Sequence, residues 1–232
     1  YAHKENVFDD FSTEILLPYM QSTLGPFIST GDLNNDGKED IFIGGAHRQE
    51  AKIFLSNDNE LIEKSNESFE IDSKNEDMES IFIDIDNDND LDLYVVSGGN
   101  EFNNRSIELA DRIYLNDGKG NFKRDTQEDL QNYTISGKTV TEIDYDNDGD
   151  SDIIIGNRIQ TKKYPIHEPS IIYENISGKF YNNTYNIAPE FENFGIVNKV
   201  IKTDFNNDGW DDFIAVGEWT NIGLFLNENG KF

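Results

Sequence analysis

Four unbroken apolar runs punctuate the chain: IFIG (41–44), LYVV (93–96), IIIG (153–156) and FIAV (213–216). They are rich in β-branched and aromatic residues, are of strand length and do not alternate with polar positions. This predicts strands covered on both faces. Directly before each run lies an acidic turn, beginning at Asp32, Asp84, Asp144 and Asp204. A second apolar element follows in every copy: IFLSND (53–58), IYLNDGKGNF (113–122), IYENISGKF (172–180) and LFLNENGKF (224–232), with its aromatic at Phe54, Tyr114, Tyr173 and Phe225. The two-part pattern recurs at intervals of 52, 60 and 60 residues, which marks a repeat protein.

A unit of about 60 residues fits a four-stranded antiparallel sheet. In the third copy the strands are predicted at 138–144, 152–156, 170–175 and 179–185. Sheets of this kind ranged around an axis bury both faces, so the fold predicted is all-β, a β-propeller. The four blades fall at about 24–78, 79–136, 137–195 and 196–232, the last incomplete, within a single region spanning 1–232. Residues 1–23 are a lead-in or an outer strand.

Each acidic turn reads D-x-[DN]-x-[DN]-[GN]-x-x-D. Oxygens at alternate positions of a tight loop converge on one point, as a hard cation with six to eight oxygen ligands requires. The side-chain candidates are Asp32, Asn34, Asp36 and Asp40 in the first copy and Asp84, Asp86, Asp88 and Asp92 in the second. The third and fourth offer Asp144, Asp146, Asp148 and Asp152, and Asp204, Asn206, Asp208 and Asp212. Lys38, Asp90, Asp150 and Trp210 would offer backbone carbonyls. Calcium suits such loops better than magnesium, giving up to four ions. Asn89 replaces the turn glycine in the second copy and is expected to take a left-handed backbone in its place. The competing reading is four solvated acidic turns. An EF-hand is excluded, because position 12 of each loop is Ile43, Val95, Ile155 or Ala215 rather than a bidentate Glu.

Charge narrows the partners. The 232 residues include 46 Asp and Glu against 19 Lys and Arg, a formal net charge of -27. Nucleic acid and acidic lipid surfaces are poor partners for such a chain. Without cysteine there is no disulfide, zinc–thiolate site or thiol catalysis. No apolar run reaches the roughly 20 residues of a membrane span, so direct membrane insertion is not expected. The chain opens at Tyr1 without a signal peptide and reads as a mature or excised segment.

The acidic loop followed by Gly44–Ala46 resembles the FG-GAP or VCBS repeat, which builds the calcium-bearing blades of integrin α-subunit propellers. The stretches 16–46, 111–122, 162–175 and 203–219 are similar to large bacterial surface proteins that carry VCBS repeats, often with an ASPIC/UnbV module, although no such module is visible here. The resemblance implies an extracellular or cell-surface, bacterial, calcium-binding module. Such propellers usually have about seven blades. Four repeats therefore form part of a larger ring, or else residues 5–17 supply a missing outer strand and close a small one.

Function splits three ways. A non-catalytic adhesion module would bind a glycan or a surface protein. A spacer would only be rigidified by calcium. A polysaccharide-acting enzyme would need paired carboxylates, with Glu218 beside Trp219 and the segment 101–109 as the available acids. His3, His47 and His167 share no motif, and neither a G-x-S-x-G nor a phosphate-binding loop is present, so a non-enzyme is expected. Two long insertions, 98–111 and 157–170, are placed by topology side by side on the face opposite the acidic turns. The ligand-binding candidates on them are Asn100, Phe102, Asn104, Arg105, Lys162, Lys163, Tyr164 and His167.

Overall fold

A computed structural model describes residues 1–58 and 60–232. Its strands form four separate antiparallel sheets, taken up in chain order. Sheet 1 comprises β1 (Ile28–Gly31), β2 (Asp40–Ile43), β3 (Lys52–Ser56) and β4 (Leu61–Lys64). Sheet 2 comprises β5 (Asp77–Ile83), β6 (Asp92–Ser97), β7 (Arg112–Asn116) and β8 (Phe122–Asp125). Sheet 3 comprises β9 (Gly137–Ile143), β10 (Asp152–Asn157), β11 (Ile171–Ile176) and β12 (Lys179–Asn182). Sheet 4 has three strands, β13 (Ile196–Thr203), β14 (Asp212–Glu218) and β15 (Gly223–Phe225). The third repeat follows its predicted strands to within one residue, except that β12 ends three residues early. β5 begins at Asp77, two residues before the expected start of the second unit.

Each sheet is a meander, and first strand lies beside first strand: β1 by β5, β5 by β9, β9 by β13. The core therefore lies between sheets. Along β6, Leu93 and Val95 pack toward Phe42 and Ile53 of sheet 1, while Tyr94 and Val96 pack toward Ile153 and Ile155 of sheet 3. Along β10, Ile154 turns to Val200, Phe213 and Ala215 of sheet 4. This two-sided burial is why the runs do not alternate, at about 1.5–3 kcal/mol for each large side chain buried. In β2 and β14, at the ends of the stack, buried and half-buried residues do alternate.

Short helices join the sheets: α1 (Glu67–Ile71), α2 (Glu128–Asn132), α3 (Thr184–Ile187) and α4 (Pro189–Glu192). Each wedges an apolar side chain into the adjoining core. Phe69 of α1, for example, sits edge-on to Phe42 and Tyr114.

Residues 1–27 contain no strand, so the N-terminal segment does not supply an outer strand. It is tied down by polar side chains across the face opposite the acidic turns. Buried Asp10 accepts from Ser22 Oγ at 2.6 Å and from Asn100 Nδ2 at 2.9 Å. Glu14 accepts from the Tyr164 amide at 2.6 Å, and Gln21 Oε1 from Arg158 Nε at 3.0 Å. Side-chain carboxylates and amides occupy the groups that hold the segment, rather than a backbone ladder. Leu17 completes the attachment by packing on Ile159 and Ile196.

Candidate metal centres

The four acidic turns share one hydrogen-bonded frame. The first Asp of each accepts backbone N–H groups from the fifth and sixth positions: Asp32 from Asp36 and Gly37, Asp84 from Asp88 and Asn89, Asp144 from Asp148 and Gly149, Asp204 from Asp208 and Gly209. The ninth-position Asp is buried in all four and braces the turn from within. One oxygen accepts the second-position amide (Leu33, Ile85, Tyr145, Phe205) and the other an amide at the end of the third strand (Ser56, Asn116, Asn175, Asn227).

Two positions carry the left-handed backbone. The sixth has φ of 81°, 70°, 93° and 88° at Gly37, Asn89, Gly149 and Gly209, so Asn89 does take the glycine's conformation. The fourth is Asn35, Asn87, Asn147 and Asn207, with φ of 58–61°. Asparagine tolerates this region better than most residues. Its recurrence was visible in the sequence, but the pattern treated the position as free.

The chemistry fits a hard cation. Carboxylate oxygens of Asp84, Asp86 and Asp88, and likewise of Asp144, Asp146 and Asp152, come within 4.8 Å of one another. Burial pushes the Asp152 carboxyl up to about 8 and Asp92 up to about 7, with nearby aspartates adding to the shift. Asp86 and Asp146 are raised by burial and by their loop neighbours. Convergent carboxylates that resist ionisation together are what a divalent ion neutralises.

Successive loops are physically joined. Asn116 Nδ2 donates to Leu33 O at 2.9 Å, Asn175 Nδ2 to Ile85 O at 2.9 Å and Asn227 Nδ2 to Tyr145 O at 2.7 Å. Each of these amides also holds the eighth-position carbonyl of its own loop. Asn35 Nδ2 reaches Asp90 at 2.7 Å and Asn87 Nδ2 reaches Asp150 at 2.6 Å. The Asn at the end of the third strand in sheets 2 to 4 was legible in the repeats as LND, YEN and LNEN, and sheet 1 has Ser56 in its place.

On the opposite face the two insertions meet as expected. Arg105 Nη2 contacts Glu168 at 2.8 Å, and the Lys162 amide donates to Asn100 Oδ1 at 2.8 Å. Two ligand candidates are overturned as surface groups. Asn100 is fully buried and spends its carboxamide on Asp10, Glu14 and Lys162, and Phe102 is buried with its ring edge-to-face with His47. Asn104 and Lys163 are exposed, and Lys162, Tyr164 and His167 are half-buried. A groove of about 180 Å³ runs between Thr13–Leu16 and Lys162–Tyr164.

Beside that groove lies a cluster that joins Tyr164 of the ligand set to Glu218 and Trp219, which the sequence offered only as an enzyme's acid candidate and its neighbour, and to Tyr19 and Arg158, which it did not single out. Tyr19 donates to Glu218 Oε1 at 2.5 Å, and Arg158 Nη2 donates to the same oxygen at 3.0 Å. Trp219 Nε1 donates to Tyr164 Oη at 2.8 Å, and the Trp219 side chain is 75% exposed. Burial works against ionisation of Glu218, yet the Tyr19 hydrogen bond and Arg158 hold its carboxyl below the usual range. Trp219 has φ of 58°, a strained conformation for a bulky side chain. Its members come from three distant segments, so no local motif announced that they meet.

The family model for the FG-GAP-like repeat matches residues 32–95 and 84–155, together more than half of the chain. No curated protein matches. Among solved structures, the chain is similar to the Vibrio cholerae biofilm matrix protein Bap1, with 17% identity and a TM-score of 0.38. That similarity covers 90% of this chain and 30% of Bap1. With repeated acidic turns and four-stranded meanders in place, the chain belongs to the FG-GAP-like repeat family.

Proposed function

We propose that the chain is a non-catalytic, calcium-binding β-propeller module of a secreted or cell-surface bacterial protein, and that it binds glycan on the face opposite its calcium loops. Calcium at the four loops would be held by the first, third, fifth and ninth side chains and the seventh carbonyl. It would supply positive charge where carboxylates converge, fixing the start of β2, β6, β10 and β14. Of these, β6 and β10 lead into the two insertions on the far face and β14 into Trp219, so the metal would act on the ligand site through strand position.

The ring reading is supported by the open outer face of sheet 4. Phe205, Ile201 and Leu224 are exposed there, although the second-position residues Leu33, Ile85 and Tyr145 are buried. A further blade of the same repeat would cover that face, as expected of a larger propeller.

The observation that carries the binding assignment is Trp219, exposed and held in a strained backbone beside Tyr19 and Tyr164. Strain is retained where it positions a group for use. Aromatic faces next to hydroxyls, a carboxylate and the Lys162–Lys163 amines suit stacking on a sugar ring and hydrogen bonding to its hydroxyls. Glu218 is held ionised by Arg158 and Tyr19, which favours a hydrogen-bond acceptor over a proton donor. A glycan array probed with the calcium-loaded chain should give hits that Trp219→Ala abolishes without changing the melting temperature. Turnover on a polysaccharide panel, lost in Glu218→Gln, would replace this reading with an enzyme. Array hits that survive Trp219→Ala and Lys163→Ala would move the site elsewhere.

A further inference from the structure

Three carboxylates near the junction of sheets 1 and 2 are each half-satisfied in the same way. Glu5 Oε1 lies 2.7 Å from His3 Nε2, Glu76 Oε2 accepts the His47 amide at 2.6 Å, and Glu101 Oε2 accepts the Asn100 amide at 2.9 Å. The second oxygen of each (Glu5 Oε2, Glu76 Oε1, Glu101 Oε1) is buried with no hydrogen-bond partner. Asn6 Oδ1, next along the N-terminal segment, is in the same condition. Glu76 is only 1% exposed.

Buried acceptors left unpaired are costly, and charged ones more so. Here they gather in one region. Gly99 packs between two of the groups: a side chain there would meet Glu101 Oε2 at 2.6 Å and Glu76 Cβ at 3.4 Å. The charges that act on Glu76 are those of Glu101, Glu5 and Asp77, and Glu101 also faces Asp10 and His47. Burial first, and these carboxylates second, push Glu76 up to about 9. Anchoring one oxygen while the other points free is how a protein orients a carboxylate toward a cation.

We propose that Glu5, Asn6, Glu76 and Glu101 form a separate site for a hard divalent cation of the calcium class, which pins the N-terminal segment to the junction of sheets 1 and 2. An all-oxygen set with three carboxylates matches calcium's preference. The free oxygens are not gathered within 4.8 Å as those of the second and third loops are. Glu5 and Asn6 lie on a stretch without regular structure, so binding draws that stretch in rather than deforming a sheet. The site is independent of the acidic loops, which lie on the opposite face.

The test counts calcium bound per chain by equilibrium dialysis and follows hydrogen exchange in residues 1–22. Glu76→Gln/Glu101→Gln should bind one equivalent fewer than the parent and lose calcium-dependent protection of residues 1–22. Glu5→Gln lies outside every sheet, so it should give the same loss with the sheets intact. Asp148→Ala should lose an equivalent yet keep that protection, which separates this site from the loops. Unchanged stoichiometry in Glu5→Gln, or exchange in residues 1–22 of the parent that ignores calcium, would overturn the proposal. So would a Glu76→Gln chain that is more stable with all its calcium retained, since protons or water would then satisfy these oxygens.

Discussion

The third and fourth acidic loops share five of their nine residues and the same backbone hydrogen bonds, yet they sit in different surroundings. Asp144 and Asp204 close their turns identically, and Asp152 and Asp212 brace them through equivalent amides. Tyr145, at the second position of the third loop, is 3% exposed, whereas Phe205, its counterpart, is 57% exposed. Asn227 of sheet 4 grips the Tyr145 carbonyl, and among the described residues no side chain does so for Phe205. Loop shape is therefore a property of nine residues. Loop burial and fixation are supplied by the next sheet.

The largest expected effect applies to both loops, namely removal of the calcium proposed to fill them. A ligand at 100 times its Kd that binds only the native state contributes about 2.7 kcal/mol per site, or roughly 5–10 °C of melting temperature in a domain of this size. Chelator should lower the melting temperature accordingly, and calcium should restore it. The pH dependence adds a sign. In chelator, native Asp152 and Asp92 keep protons up to about 8 and about 7, because burial disfavours their charge, while the unfolded chain releases them near pH 4. The native state then holds more protons between pH 4 and 8, so stability falls as pH rises through that window. Calcium requires the ionised carboxylates and should abolish the fall. A melting curve indifferent to chelator at every pH would leave the loops as acidic turns only.

Next in size is the second-position side chain. Tyr145→Ala removes a buried aromatic from the core between sheets 3 and 4 and should cost about 3–5 kcal/mol. Phe205→Ala should stay within about 0.5 kcal/mol, as for exposed positions generally. Denaturant melts of the two variants measure the contrast directly, and equal losses would mean that Phe205 is covered in solution.

How much of this was legible in the sequence follows the same division. The acidic turns, the strands after them and the meander of the third repeat were readable because each is set by local spacing. So was the left-handed Asn89, since the turn demands it whatever surrounds it. The N-terminal segment was not readable. Its attachment runs from Asp10, Glu14 and Gln21 to Asn100, Tyr164 and Arg158, residues far apart in the chain. Asn100 and Phe102 looked like loop-tip residues, but that segment buries Asn100, and Phe102 packs against His47 from sheet 1's own long loop. Glu218 and Trp219 were singled out as an acid candidate and its neighbour, but their meeting with Tyr19, Arg158 and Tyr164 was unreadable for the same reason.

A smaller contrast lies in the proposed metal ligands themselves. The third loop offers four carboxylates, and the fourth offers three with Asn206 in the remaining place. Fewer charges lower calcium affinity. In saturating calcium Asp148→Ala should cost about 2–3 kcal/mol and Asp208→Ala less. Both losses should shrink in chelator. Losses that are equal, or that persist unchanged in chelator, would assign these aspartates to turn geometry alone.

The smallest expected effect isolates the grip of one sheet on its neighbour's loop. Asn227 makes two side-chain hydrogen bonds as donor, to Asp211 O within its own sheet and to Tyr145 O across the interface. Sheet 1 carries Ser56 at the same place, and its hydroxyl bonds only the equivalent carbonyl of its own loop, Glu39 O. Asn227→Ser therefore imitates a natural variation that keeps the first bond and gives up the second. Losing one partner of a buried carbonyl costs about 1 kcal/mol, more if no water reaches it. That loss should fall on the third loop, loosening Tyr145 and weakening calcium there about fivefold, while the fourth loop binds as before. Calcium titration of Asn227→Ser in an Asp208→Ala background reads the third loop without interference from the fourth. An affinity equal to that of Asp208→Ala alone would show that the cross-sheet amide joins the sheets without tuning the metal site.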